Sequence, residues 1–413
     1  MHDAGVLGKR TVAGDVERAS DTLSGTGGAA SPNRVWVERL HLTDFRNYAG
    51  LSLTVGPAPV VLTGANGSGK TNLLEALSLL SSGQGLRRAP YPELARMGAP
   101  GWAVAARLNT PLGGVDIGTG LTPQSDAAGR SGRVVRIDGE TQAGSGALGE
   151  HVEVLWLTPA MDGLFTGPAS ERRRFLDRLI AALDPSYRSL LGQFERAMQQ
   201  RNRLLADEVR EPSRFEAFER IMAETGVAVA AARAFAVAEL AAAIGTRRAA
   251  ARASIFPWAE LALVGTLEAG LEARPAVDLE DDYVRLLAAS RERDRAAGRT
   301  LDGPHRSDLV VGHGPKEMPA KVCSTGEQKA LLIGLILAHA DLARQRRDGA
   351  APVLLLDEIA AHLDPARRAA LFEEIVALGS QTWMSGTDPE AFAALQDRAQ
   401  FHRVDEGRVT PVG

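Results

Sequence analysis

A glycine-rich segment at residues 64–71, GANGSGKT, is the part of this chain whose spacing most clearly specifies a chemistry. It matches the phosphate-binding pattern G-x-x-x-x-G-K-[ST] at every fixed position. Backbone N–H groups in such a loop, and at the N-terminus of the helix that follows, are unpaired donors that can surround phosphate oxygens. Lys70 would reach the β- and γ-phosphates of a nucleotide, and the Thr71 hydroxyl would bind Mg²⁺. The predicted loop ligands are Gly64, Ala65, Asn66, Gly67, Ser68, Gly69, Lys70 and Thr71.

The elements on either side of this loop distinguish a phosphate site from an accidental glycine-rich turn. Residues 60–63 form an apolar run that predicts a strand, and residues 71–80 carry leucines at helical spacing. A phosphate loop needs a strand before it and a helix after it, so this context favours the phosphate site and predicts ATP as the ligand.

A second segment with catalytic potential is VLLLDE at residues 353–358, an apolar strand that ends in two acids. Asp357 would hold Mg²⁺ through water, and Glu358 would orient or deprotonate the attacking water. Alone, such a pair is often a solvated strand end. Together with Lys70 and the rest of the phosphate loop, it favours a catalytic site with Glu358, Asp357 and Lys70 as its central residues.

A third segment, STGEQK at residues 324–329, precedes a long apolar run. Its Ser-x-x-Glu spacing is that of a capping box, so one interpretation is simply a well-capped helix. The other is that Ser324, Gly326 and the helix N-terminus form an ABC-type signature, which meets the γ-phosphate of ATP held by another subunit. The two interpretations are compatible, because an exposed helix N-terminus is already an anion site. The position shortly before the Asp-Glu strand matches the ABC order.

The elements that must position these motifs divide between the two ends of the chain. Residues 35–42 predict a strand, and residues 51–55 with 60–63 predict a hairpin around Gly56-Pro57. Short β-like runs within residues 103–157 predict a β-lobe, and residues 170–253 predict a short helical arm. Residues 258–264 and 308–312 predict strands that lead back into the core. The fold class is therefore α/β, with an inserted middle.

The predicted domains follow from this order. They are a disordered N-terminal tail at 1–33, an ATPase lobe with the phosphate loop and β-lobe at 34–169, a helical arm at 170–300, and a second ATPase lobe at 301–413.

Composition excludes several classes of protein. One cysteine in 413 residues, Cys323, excludes a disulfide framework. The tail lacks the apolar region of a secretory signal, and the alanine-rich residues 227–244 contain Arg233 and Glu239, so we expect a packed helix and no membrane span. The cytoplasm is the expected location. A net charge of −4 gives no global attraction to nucleic acid, so DNA binding would need a local basic patch.

Four further segments give the chain a family resemblance. They are LTDFRNY at 42–48, ERRRFLD at 171–177, QRN at 200–202 and GPHRSDL at 303–309. Together with the three nucleotide motifs, they resemble the RecF family of bacterial recombination mediators over nearly all of the chain except the tail. The resemblance implies an ABC/SMC-type P-loop ATPase head with a second lobe, which dimerises on ATP and loads recombinase at gapped DNA with RecO and RecR.

The same resemblance implies further nucleotide contacts. Arg46 and Asn47 lie in the first family segment, and Asp364 ends a segment at 361–364 that contacts the partner subunit. Candidate DNA contacts come from arginine runs, although such runs are usually solvated helix faces. They are Arg87, Arg88, Arg172, Arg173 and Arg174.

Three departures from the family pattern predict slow ATP turnover. His362 stands where family members usually carry an acidic residue. Residues 383–387 contain no switch histidine, and no glutamine lies near Thr158-Pro159. We therefore expect a weak ATPase that serves as a switch.

Two alternative functions share the nucleotide motifs. The ATPase subunit of a transporter would need a helical subdomain that contacts a membrane partner, and the family segments at 200–202 and 303–309 argue against it. A P-loop kinase would transfer the γ-phosphate to a small molecule, but the signature helix would then be superfluous.

Overall fold

The structure is a computed structural model, and it describes residues 33–121, 132–250, 256–361 and 363–412. The predicted disordered tail lies, apart from its last residue, outside the described residues. So does His362.

Fifteen strands and nine helices are formed by the described residues. The strands are β1 (Trp36–Phe45), β2 (Tyr48–Thr54), β3 (Val60–Thr63), β4 (Trp102–Thr110), β5 (Gly113–Leu121), β6 (Arg133–Ile137), β7 (Glu140–Thr141), β8 (Val154–Leu157), β9 (Ala259–Val264), β10 (Asp308–His313), β11 (Met318–Pro319), β12 (Val353–Leu356), β13 (Thr382–Gly386), β14 (Gln400–Asp405) and β15 (Arg408–Pro411). The helices are α1 (Lys70–Ser78), α2 (Ala169–Leu183), α3 (Tyr187–Ala206), α4 (Ser213–Ala250), α5 (Thr266–Leu271), α6 (Ala276–Ala289), α7 (Arg291–Ala297), α8 (Thr325–Arg346) and α9 (Pro365–Leu378).

A mainly parallel sheet lies at the centre of the fold. Its six strands are in the order β15-β14-β3-β13-β12-β8, and the five strands from β14 to β8 are parallel. Every residue of β3, β8, β12 and β13 is buried, as is expected for parallel strands covered on both faces. The carboxyl ends of β3 and β12 carry the phosphate loop and the Asp-Glu pair, so the sheet brings these motifs to one edge.

A second sheet is antiparallel and forms a lobe beside the first. Its order is β2-β1-β4-β5-β6-β7. In β4, buried Trp102, Val104 and Ala106 alternate with exposed or half-buried residues, as in a sheet with one covered face.

The predicted hairpin of residues 51–55 with 60–63 is wrong. The first strand belongs to β2, which pairs with β1 through Arg39 opposite Thr54, whereas β3 pairs with β13 and β14 in the central sheet. The physical reason is burial. The exposed residues of β2 suit a one-sided sheet, but all four residues of β3 are buried and need cover on both faces.

The middle of the chain is mainly helical. Helix α3 packs along α4, and α4 also contacts α6 and α8. Phe194, Met222, Val227, Tyr283 and Leu287 lie in a separate hydrophobic cluster between these helices. The returning strands β9 and β10 pair with each other and with β11 in a three-stranded antiparallel sheet, and do not join the central sheet.

The long helix α4 contains the alanine-rich segment. By length and composition alone it could cross a membrane. Its contacts are those of a packed helix, because its buried Arg233 donates to both carboxylate oxygens of Asp177 on α2 at 2.8 and 2.9 Å. The expected packing of residues 227–244 is thus confirmed.

Candidate nucleotide-binding site

The phosphate loop connects β3 to α1, in the context that the sequence predicts. Gly64 has φ 154°, and a Cβ atom there would lie 2.2 Å from the carbonyl oxygen of Val404. Gly69, the N-cap of α1, has φ 117°, and its Cβ would lie 2.6 Å from the Asn47 amide nitrogen. Only glycine fits both positions, because other residues would clash and rarely adopt such a backbone.

Lys70 lies over the loop and faces the segment that follows β12. Its side chain is 4% exposed, and its Nζ atom donates to the carbonyl oxygens of Gly64 at 2.8 Å and Ala65 at 2.9 Å. The same Nζ atom is 3.9 Å from Oε1 of Glu358. The loop lysine and the proposed catalytic carboxylate are therefore in one site.

Thr71 and Asp357 are brought together although they are 286 positions apart in the chain. The Thr71 hydroxyl lies 3.0 Å from each carboxylate oxygen of Asp357. Such hard oxygen donors fit Mg²⁺, which keeps water and phosphate oxygens among its ligands and needs few from the protein. Within the described ranges, no cluster of three or more His, Cys, Asp or Glu residues could hold a metal, so Mg²⁺ would depend on this pair and on phosphate.

Ser385 completes the hydrogen bonding of the two acids. Its buried hydroxyl, on β13, donates to Asp357 Oδ1 at 2.6 Å and accepts from the backbone N–H of Glu358 at 2.9 Å. Sequence reasoning missed this residue, because it considered residues 383–387 only for a histidine. A buried polar residue at the carboxyl end of a central strand was the signal that could have found it.

Glu358 itself has a left-handed backbone, with φ 51°. Its carbonyl oxygen accepts a hydrogen bond from Lys329 Nζ at 3.2 Å, and its side chain is 29% exposed. Residues other than glycine seldom adopt this conformation, and those that do cluster at functional sites. The carboxylate of Glu358 is thus accessible while its backbone is held on both sides. Sequence reasoning also missed Lys329.

The signature segment forms the predicted capping box at the start of α8. The Ser324 hydroxyl accepts from the backbone N–H of Glu327 at 3.4 Å, and the Ser324 N–H donates to Glu327 Oε2 at 3.1 Å. Hydrogen bonds lower the pKa of Glu327 to about 2, and the one from Lys316 contributes more than either of those from Ser324. Ser324 and Thr325 are exposed, so this helix N-terminus is accessible to an anion.

The other predicted nucleotide contacts have partners within the protein. Arg46 donates to both carboxylate oxygens of Glu75, at 2.8 and 2.9 Å, and so braces α1. Asn47 donates to the carbonyl oxygen of Ser68 in the phosphate loop at 3.2 Å. Asp364 caps α9 by accepting from the backbone N–H of Arg367 at 2.9 Å. Their roles toward nucleotide, and that of Gly326, stay predictions.

Several of the proposed DNA-contact arginines have internal partners. Arg172 donates to both carboxylate oxygens of Asp308 at 2.8 and 2.9 Å, and Arg173 donates to the carbonyl oxygen of Ser307 at 2.6 Å. Arg87 donates to Glu75 at 2.8 Å. In contrast, the exposed Arg88 and Arg174 form no ion pair with the described residues, which leaves them better suited to bind phosphate.

Comparison with known proteins places this chain in a family. Residues 60–108 and 172–388 match the family described as "AAA domain, putative AbiEii toxin, Type IV TA system". The DNA replication and repair protein RecF of Mesorhizobium japonicum is 54% identical over 381 residues, covering 92% of this chain and 99% of the relative.

Solved structures show the same fold. The recombination mediator protein RecF bound to ATP, of the RecFOR pathway, has a TM-score of 0.78 at 21% identity and covers 94% of this chain and 100% of that chain. A Pyrococcus furiosus Smc head domain, with an extended coiled coil and bound to the C-terminal domain of ScpA, has a TM-score of 0.51 at 17% identity, covering 92% and 96% of the two chains. The fold is thus an ABC/SMC-type ATPase head, and the chain belongs to the RecF family of DNA replication and repair proteins.

Proposed function

We propose that this protein is an ATP-driven switch in DNA repair and replication, which closes into a homodimer on ATP, binds DNA and reopens on slow hydrolysis. The observation that carries this proposal is the contact of Thr71 with Asp357 beside the approach of Lys70 to Glu358. These four groups are the parts that a P-loop ATPase needs at one site.

The residues have separate roles in the proposed cycle. The loop N–H groups and Lys70 bind the phosphates, and Thr71 and Asp357 hold Mg²⁺. When bound, Mg²⁺ would neutralise charge that develops on the phosphate oxygens. Glu358 orients or deprotonates the attacking water, since its carboxylate is partly exposed and lies 3.9 Å from the Lys70 ammonium.

Dimerisation follows from the exposed start of α8. Ser324 and the N–H groups of the first turn form an anion site, to which Gly326 allows close approach, and the γ-phosphate held by a second copy would fit there. Asp364 would lie at the same interface. Two such contacts related by two-fold symmetry make dimer formation depend on ATP.

Slow hydrolysis follows from the residues around Glu358. The switch histidine of the family pattern is missing from residues 383–387, and in this segment the Ser385 hydroxyl bonds to Asp357 and to the Glu358 backbone. A serine hydroxyl does not become charged near neutral pH, so it cannot stabilise the γ-phosphate as a charged group. The site is therefore suited to a switch more than to rapid turnover.

The partners in this proposal are gapped or junction DNA and, by family, RecO and RecR, with which the dimer would help to load recombinase. Arg88 and Arg174, and less directly Arg87, Arg172 and Arg173, are the proposed DNA contacts.

Binding to gapped, single-stranded and duplex DNA should be measured with and without ATP across a salt series, with ATP hydrolysis in parallel. We expect DNA binding that depends on ATP and weakens with salt, and hydrolysis that DNA stimulates. DNA affinity that ATP does not change would overturn the switch.

A further inference from the structure

The signature segment at 324–329 ends, in the second turn of α8, with a buried lysine to which the motif assigns no role. The side chain of Lys329 is 3% exposed, and its Nζ atom lies 3.2 Å from the carbonyl oxygen of Glu358 and 3.6 Å from Asp162 Oδ2. Burial disfavours the charged ammonium and lowers the pKa of Lys329. A charge is kept in such a place only when its partners compensate for lost water.

The principal partner of Lys329 is Glu358, whose backbone conformation needs support from neighbouring groups. Glu358 has φ 51°, which is unfavourable for a side chain with a Cβ atom and persists only where surrounding groups hold it. Its N–H donates to Ser385 Oγ at 2.9 Å, and its C=O accepts from Lys329. The backbone that aims the catalytic carboxylate is therefore fixed from β13 on one side and from α8 on the other.

The second partner of Lys329, Asp162, belongs to another part of the fold. Asp162 follows the 3-10 turn Pro159–Met161, which comes directly after β8. Lys329 thus connects three elements: the signature helix, the turn beyond β8 and the end of β12. Since α8 begins at the proposed contact with a second subunit, a displacement of α8 would carry the Lys329 ammonium with it.

We propose that Lys329 is a positioning residue for ATP hydrolysis, which holds the Glu358 backbone in its left-handed conformation and makes the aim of the carboxylate depend on the position of α8. This inference rests on the proposed ATPase function and adds an assignment within the same subunit. When α8 docks against the nucleotide of a partner subunit, the position of Lys329 therefore sets the aim of the Glu358 carboxylate. Lys329 acts through Glu358 and has no contact of its own with the phosphate loop among the contacts described.

The test is to compare the parent with Lys329→Met, which keeps the aliphatic stem and removes the charge, and with Lys329→Arg, which keeps the charge. Arg398→Met is the matched control, because it removes one positive charge from an exposed pair with Glu373. The measurements are ATP affinity by calorimetry, kcat and KM for hydrolysis, and the melting temperature.

We expect Lys329→Met to bind ATP within about threefold of the parent while kcat falls roughly 10- to 100-fold, because a misplacement of about 1 Å can cost that much. Lys329→Arg should recover part of kcat. In a Glu358→Gln background, Lys329→Met should change single-turnover hydrolysis little further, since both changes act through the same carboxylate.

A folded Lys329→Met protein with parental kcat, or a loss that is undiminished in the Glu358→Gln background, would overturn the proposal. If Lys329→Met does not fold, Lys329→Leu, which also removes the charge, takes its place. A lowered kcat at parental ATP affinity supports the proposal, and parental kcat, or equal losses of affinity and turnover, overturn it. Full turnover by Glu358→Gln alone would instead refute the catalytic assignment in the proposed function, so the two failures are distinguishable.

Discussion

The Thr71 hydroxyl lies 3.0 Å from both carboxylate oxygens of Asp357, and this contact joins the first and last thirds of the chain at one site. Thr71 follows β3 through the phosphate loop and Asp357 comes directly after β12, and these two strands flank β13 at the centre of the sheet. The site is thus built on rigid elements, so substitutions within it should change function more than fold.

Replacement of Lys70 by alanine should abolish ATP binding. Two or more charge-assisted contacts to phosphate are lost, so we expect affinity to fall roughly 100-fold or more. Isothermal calorimetry measures this directly, with Arg398→Met as a control of equal charge change. Equal affinity in mutant and parent would reject the phosphate-loop assignment.

Replacement of Glu358 by glutamine should leave ATP binding intact and stall hydrolysis. The amide keeps the shape of the side chain but is a poor base, and general-base catalysis contributes about 10²- to 10⁴-fold. Turnover and affinity should be measured on the same preparation. Undiminished turnover would remove Glu358 from its proposed role.

Replacement of Ser324 by arginine tests the dimer. The change removes the capping hydroxyl, whose loss costs about 1 kcal/mol, and adds bulk where a second subunit would approach closely. One substitution affects both contacts of a two-fold dimer. We expect a folded monomer that binds ATP but has lost ATP-induced dimerisation and ATP-dependent DNA binding together.

Sedimentation with a non-hydrolysable ATP analogue decides this case. If the variant dimerises like the parent, Ser324 serves only as a helix cap, and the proposed dimer, in which Ser324 meets the γ-phosphate held by a second copy, is wrong.

Replacement of Arg201 by methionine should destabilise the helical part of the chain. The guanidinium of Arg201 is fully buried and lies 3.1 Å from Glu219 and 2.7 Å from Asp294. Its removal leaves two buried carboxylates, and breaking such a network costs about 3–5 kcal/mol. Urea denaturation should show this loss of unfolding free energy, whereas the exposed pair of Arg398 should contribute no more than about 1 kcal/mol. Equal effects of the two substitutions would contradict the network's role.

The nucleotide motifs were predictable because each is contained in a short segment. The strand, loop and helix around Lys70 have local signatures, and the Ser324 capping box depends on two residues three positions apart. The pairing of Thr71 with Asp357 followed from knowing what both motifs bind.

The remaining features depend on contacts that no local pattern records. Residues 60–63 are a short apolar run, and such a run does not specify which strands lie beside it, so the hairpin with residues 51–55 was wrong. Ser385 and Lys329 are polar residues inside apolar elements. Their partners lie 27 and 29 positions away, and only the folded sheet brings these partners within reach.

Because β3 lies between β13 and β14, the central sheet can be completed only late in translation. The phosphate loop and β3 are synthesised early. The two strands that flank β3 are among the last parts to emerge, and so is the Val404 carbonyl oxygen against which Gly64 packs. The antiparallel lobe can form as soon as its own strands are made. In contrast, β3 has neither of its partner strands for most of translation. A nascent or truncated chain that lacks β13 and β14 should therefore be unable to hold nucleotide.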